Sequence, residues 1–198
     1  MDSDSLSSRY AASASRPDLR LLNSVGWFRR LGFTLLRVPR PVSFLFAAAW
    51  IGLIWWTSSK GPPPAPRSYS WRAVVGNFLH VPAYGFLAVL LVATLPRTGA
   101  WPRPGWAARL WVVGTVFAYG IVDEWHQSHV PGRDLSVLDL ATNVTAASVV
   151  VWIVSYLSRR EATERGLGRR FAFGMALCSI CALCATYLPM FWPDTAWL

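Results

Sequence analysis

Apolar residues in this chain fall in long unbroken runs, with no strand-like alternation. The runs cover about residues 42–57, 73–95, 107–124, 135–157 and 171–192. A helix crossing a bilayer needs about 20 apolar residues, with a working range of about 17–25. The last four runs meet that length and the first is short. Pro39 and Pro41 precede the first run and Trp55 and Trp56 close it, while Pro96 stops the second. The links between runs are rich in Pro, Gly, Ser and Arg, as connecting segments are. The pattern predicts an all-α integral membrane bundle of about five transmembrane helices. No internal repeat is visible, which argues against a duplicated transporter design.

Composition supports this reading. Hydrophobic residues make up 54% of the 198 positions and charged residues 15%, against about 25% charged in soluble domains. The twelve tryptophans suit a protein with two membrane–water interfaces, where indole rings settle. The three cysteines, Cys178, Cys181 and Cys184, lie within one apolar run and read as packing residues.

The net charge of +9 would suggest nucleic acid in a soluble protein. Here the arginines sit in the links, and no basic surface interleaved with aromatics accompanies them, so no nucleic-acid partner is expected. With five spans, fifteen of the nineteen positive residues fall on the side of the N-terminal tail. Lys60, Arg67, Arg72 and Arg133 fall on the other. The excess of positive charge on cytoplasmic loops then puts the N-terminus in the cytoplasm and the C-terminus outside.

Residues 1–41 read as a cytoplasmic tail, in which 18–37 is either an interfacial amphipathic helix or a basic lead-in. Residues 42–157 form a four-span core. Residues 158–198 add a basic cytoplasmic loop and a fifth span.

Ionisable groups inside spans are costly and face the bundle interior or water. In this chain they converge. The second run carries Asn77, His80 and Tyr84 within an arc of about 60° at 3.6 residues per turn. The third carries Tyr119, Asp123, Glu124 and Gln127, and the fourth Ser136, Asp139 and Asn143. Between the third and fourth lies a Pro131-Gly132-Arg133 turn. Under the charge-derived topology, all three sets reach one level near the outer leaflet.

The ordered motifs Tyr119-Gly120, Glu124-x-x-Gln127, Pro131-Gly132-Arg133 and Asp139-x-x-x-Asn143, with His80-x-x-x-Tyr84 upstream, resemble the signature of the VanZ-like family of small multi-span bacterial membrane proteins. The resemblance covers about residues 76–157, with the motifs at 76–146. Gly76 and Asn77 stand where many members have Asp-Lys, and Ala146 and Ala147 stand where a Gly is usual. The resemblance implies a multi-pass protein of the bacterial cytoplasmic (inner) membrane, in the cell envelope, from a family whose namesake is linked to teicoplanin (glycopeptide) resistance. It implies no particular reaction.

Two roles are open for these residues. In the first, an outward-facing polar pocket binds or modifies an envelope lipid or glycan precursor. Arg133 and His80 hold its headgroup, Glu124, His80 and Asp139 act as acid/base or orienting groups, and Gln127, Asn143, Tyr84, Tyr119 and Asn77 contribute hydrogen bonds. In the second, the same residues form a structural network in a scaffold that binds a partner membrane protein. In that case Arg133 pairs internally with Glu124 or Asp139, and Asp139 caps the fourth helix. No cofactor is expected. No metal is assigned either: His126 and His129 with Glu124 and Asp139 offer zinc-type donors, but their spacing matches no zinc motif.

Overall fold

The computed structural model describes residues 38–61, 71–96, 104–133, 135–159 and 161–191, with Gly26, Phe28, Arg30, Gly32, Thr34 and Pro102 besides. Five long helices account for most of them: α1 (Arg40–Ser58), α2 (Trp71–Thr94), α3 (Trp106–Gln127), α4 (Val137–Leu157) and α5 (Glu164–Phe191). No strand occurs among the described residues. The expectation of an interfacial helix over 18–37 falls largely outside them, although the five described positions from Gly26 to Thr34 are helical.

The helix limits follow local chemistry. Pro39 precedes α1 and Pro41 sits in its first turn, where a missing N–H does no harm. Ser136 caps α4 by accepting the Asp139 N–H at 3.1 Å. The largest departure from the sequence reading is at α5. It begins at Glu164, so the arginines expected in a loop, Arg165, Arg169 and Arg170, extend the helix below the apolar run. Arginine is a good helix former, and its long stem lets the charge reach water from a helix end. The link from α4 shortens accordingly. Tyr156 Oη accepts the Thr163 N–H at 2.9 Å, and the Arg170 guanidinium lies 3.7 Å from the Tyr156 ring centroid.

Four helices are long and apolar enough to cross a bilayer: α1, α2, α4 and α5. The short first run therefore belongs to a helix of sufficient length, because Arg40 and Pro41 at one end and Ser58 at the other extend it to 19 residues. α3 falls short by composition, with Arg109, Asp123 and Glu124 within its 22 residues. Its placement compensates. Gly120 lies against Leu140 and Asn143 of α4, and Arg109 and Val113 share a cavity wall with Val151, Trp152 and Tyr156. α3 thus runs antiparallel beside α4 for most of its length and passes through the same slab.

α2 packs against each of the other four helices, and its Tyr84, Leu87 and Ala88 are essentially inaccessible. Pro82, inside α2, withholds the N–H that would bond the Phe78 carbonyl. One residue on, the Ala83 carbonyl accepts the Trp50 indole N–H at 2.8 Å, tying α1 to α2. Close contacts elsewhere depend on glycine. A Cβ on Gly174 of α5 would collide with the stiff, branched Val149 of α4.

The outer surface is inverted relative to a soluble protein. Leu45, Leu79, Phe171, Phe173 and Ile180 all point outward. Without water in the hydrocarbon region, such a surface carries no penalty. Exposed tryptophans mark both ends: Trp55, Trp56, Trp71 and Trp125 at one, Trp106 at the other.

Candidate functional site

The polar residues meet where α2, the end of α3 and the start of α4 come together. They form two connected but different arrangements.

The first is a closed chain. The Tyr84 hydroxyl donates to Asp123 Oδ2 at 2.7 Å. Gln127 Nε2 donates to the same oxygen at 2.9 Å. Arg133 Nη1 donates to Gln127 Oε1 at 2.8 Å, and its Nη2 donates to the Lys60 carbonyl at 3.3 Å. The chain links α2, α3, the turn and the segment leaving α1. Its turn follows the type II pattern, with Pro131 at the second position, Gly132 at φ 82° and Arg133 N–H donating to the Val130 carbonyl at 3.0 Å. Gly61 packs against the Pro131 carbonyl so tightly that a Cβ there would lie 2.7 Å from the oxygen. Gly132→Ala forces a side chain into the left-handed region and should destabilise the protein by about 1–2 kcal/mol, measurable as a lower thermal midpoint in detergent. A midpoint within 1 °C of wild type, on an estimate of about 2–4 °C per kcal/mol, would contradict it.

The second arrangement is open. His80, Glu124 and Asp139 each bring a donor atom within 4.8 Å of the other two. Glu124 is 2% exposed, and its Oε2 accepts the Ser136 N–H at 3.0 Å. His80 Nδ1 lies 2.9 Å from Asn143 Oδ1. An amide oxygen only accepts, so His80 Nδ1 carries a proton and donates it to Asn143. Glu124 Oε1 and Asp139 Oδ1 are buried without a hydrogen-bond partner. Ser136 organises both carboxylates, holding Glu124 through its N–H and capping the Asp139 N–H through its Oγ.

The expected site residues divide between these arrangements. His80, Glu124 and Asp139 form the open trio, with Asn143 behind the histidine. Tyr84, Gln127 and Arg133 belong to the closed chain. Arg133 does pin the turn, but through Gln127 and the Lys60 carbonyl, with neither Glu124 nor Asp139 as its partner. Asp139 is not the cap of α4; Ser136 is.

Two residues stand apart. Tyr119 Oη donates to the Ile51 carbonyl at 3.0 Å and ties α3 to α1. Asn77 Nδ2 donates to Thr186 Oγ1 of α5 at 3.0 Å. Because α2 has neighbours all round, one 60° arc takes in both the groove toward α4 and the groove toward α5. Asn77→Ala should therefore weaken the α2–α5 contact by about 0.6–1.7 kcal/mol and leave the trio unaltered. A changed His80 signal in the NMR spectrum would contradict that separation.

Asp123 and Ser136 carry more than their sequence signal suggested. Both lay among the polar residues of their runs, but nothing in the spacing marked them as the centres of the two arrangements. His126 stacks on Trp55 with ring centroids 3.8 Å apart, and His129 Nδ1 lies 2.8 Å from the Trp125 carbonyl. Neither is part of the trio. A cavity of about 280 Å³ at the far end of α3 and α4, lined by Arg109, Trp152, Tyr156, Arg159 and Arg170 among others, is separate from this cluster.

A multi-pass helical membrane protein with a buried polar cluster between three helices is the class these features define. The chain belongs to the VanZ family: the family model VanZ/LLP1 matches residues 33–158. The match takes in α1 to α4 and both polar arrangements, and leaves α5 outside. No curated protein and no solved structure matches the chain.

Proposed function

We propose that this VanZ-family protein uses the open trio to bind, or bind and modify, the polar headgroup of an envelope lipid or glycan precursor at the outer leaflet of the bacterial cytoplasmic membrane. The observation that carries this reading is the convergence of an imidazole and two carboxylates from three helices, with donor atoms within 4.8 Å of one another. A purely structural network satisfies its members, since unpaired buried polar atoms destabilise. The Tyr84–Asp123–Gln127–Arg133 chain does so for the atoms it joins, and leaves Asp123 Oδ1 and Arg133 Nε buried without a partner. The trio leaves a buried oxygen on each of two carboxylates without a partner. Unpaired acceptors aimed at one point suit groups waiting for a ligand.

His80 and Asp139 keep partial exposure while Glu124 is buried, so a headgroup approaching from the bilayer surface meets them first. The topology with the N-terminus in the cytoplasm rests on the arginine asymmetry. It puts the end of α3 and the start of α4 at the outer face. In this reading Arg133 holds the turn that walls the site, and its guanidinium adds positive charge for an anionic headgroup.

The scaffold reading has its own support in the closed chain, which ties three helices and a turn as a structural core would. Extracting the wild-type chain and Glu124→Gln into nanodiscs of native membrane and identifying retained lipids by mass spectrometry separates the two. The headgroup reading expects an envelope lipid or lipid-linked glycan enriched on the wild type and lost from the variant at equal abundance. Identical lipid profiles would favour the scaffold.

A further inference from the structure

We propose that His80, Glu124 and Asp139 bind a divalent transition-metal cation of the zinc or manganese type. Three helices each contribute one donor, and the donor atoms lie within 4.8 Å of one another. A tetrahedral ion at about 2.0–2.2 Å from each donor would place the donors about 3.3–3.6 Å apart. Closing from the present separation needs only side-chain rotation on a backbone already in place.

Each ligand also has the supporting partner that metal sites require. Asn143 Oδ1 accepts the His80 Nδ1–H, which leaves Nε2 as the ring nitrogen that a metal would take. The Ser136 N–H holds one oxygen of Glu124, and the other, Oε1, is buried without a partner on a residue that is 98% buried. The Ser136 hydroxyl fixes the first turn on which Asp139 rides.

Charge points the same way. Asp123, Glu124 and Asp139 put three carboxylates in the cluster, with Arg133 as the guanidinium bonded into it. When all four are ionised and His80 is neutral, as a metal ligand must be, two negative charges are left over. Burying such charge is strongly unfavourable without compensation, and one divalent cation cancels it.

The donor set selects the ion. One imidazole and two carboxylates, with no thiolate, suit Zn²⁺ or Mn²⁺. Three protein donors are too few for Ca²⁺, which takes six to eight oxygens, and Mg²⁺ retains mostly water. Three protein donors also leave a coordination position open. On the reading of the site given above, and resting on it, that position takes a phosphate oxygen of the headgroup. Cation binding itself does not depend on that reading.

The test uses the full chain purified in detergent, stripped with a chelator and dialysed. Zn²⁺, Mn²⁺ or Mg²⁺ is added without lipid. Bound metal is counted by mass spectrometry and affinity measured by calorimetry. The proposal expects one Zn²⁺ or Mn²⁺ per chain, little Mg²⁺, and an affinity at least tenfold weaker in Glu124→Gln and in Asp139→Asn. The His126→Ala, His129→Ala double variant should bind as wild type does. X-ray absorption of the zinc-loaded wild type needs no variant and should show nitrogen and oxygen donors alone. Absence of saturable uptake by the wild type overturns the proposal. So do sulfur donors, which would point to Cys178, Cys181 and Cys184, and so does binding that the double histidine variant abolishes.

Discussion

Glu124→Gln is expected to stabilise the chelator-treated protein while abolishing its capture of a ligand. Glutamine keeps the shape of glutamate and keeps an oxygen for the Ser136 N–H, which glutamate Oε2 now accepts at 3.0 Å. It removes a charge from a residue that is 2% exposed and that has one oxygen without a partner. Replacing buried charge by a neutral group of similar volume stabilises by about 1–2 kcal/mol when the charge has no strong compensation. In a chain of this size that is a rise of a few degrees in thermal midpoint, at about 2–4 °C per kcal/mol. Stability gained together with function lost is the signature of a residue kept for chemistry. A structural Glu124 would give the opposite pair of results: a lower midpoint, with any loss of function following reduced abundance. Differential scanning fluorimetry with lipid mass spectrometry on the same preparations reads both quantities.

Asp123→Ala is expected to be the most destabilising single change in the cluster. Asp123 is 1% exposed, and its Oδ2 accepts from both Tyr84 and Gln127. Removing the acceptor strands a hydroxyl and an amide N–H in a site closed to water. Each stranded donor is unfavourable by about 1–3 kcal/mol, so the total for the two is about 2–6 kcal/mol. The break also propagates, because Gln127 would no longer be fixed to receive Arg133. Tyr84→Phe removes one donor together with its bond and should be destabilising by only about 1 kcal/mol. A double-mutant cycle of the two should therefore show coupling. Denaturant or thermal unfolding in detergent measures it. Equal effects of Asp123→Ala and Tyr84→Phe would remove Asp123 from the centre of the chain.

Much of the fold was legible because helix length and apolar content report directly on a bilayer. Runs ended by Pro96 or opened by Pro39 and Pro41 mark the limits of α1 and α2 to within a few residues. The start of α5 was missed because hydropathy marks where a helix enters lipid and says nothing about where it begins. Arg165, Arg169 and Arg170 are compatible with helix and with loop alike. The passage of α3 was legible from its length, yet only its alignment along α4 explains how a helix with Arg109, Asp123 and Glu124 takes its place in the bundle.

The site was legible in outline for a similar reason. Polar residues in apolar helices have few places to go, so His80, Glu124 and Asp139 were bound to face one another across the interior. Their division of labour was not legible. A helical arc groups Asn77 with His80, but α5 packs on one edge of that arc and α4 on the other. Spacing could not show that Ser136 would cap α4 and thereby leave Asp139 free. Nor could it show that Arg133 would bond to an amide and a carbonyl, with no carboxylate between them.

The proposed function requires the cluster to face outward, where envelope precursors are. Single-cysteine accessibility tests it most directly. Cysteines are placed one at a time at His129, on the exposed turn after α3, and at Glu161, exposed between α4 and α5, in a chain whose own three cysteines are replaced. Intact cells are then treated with a thiol reagent that does not cross membranes. With the cluster outward, position 129 is labelled and position 161 is not until the cells are opened. Labelling at 161 with 129 protected would contradict it, placing the trio on the cytoplasmic side and its ligand among cytoplasmic molecules.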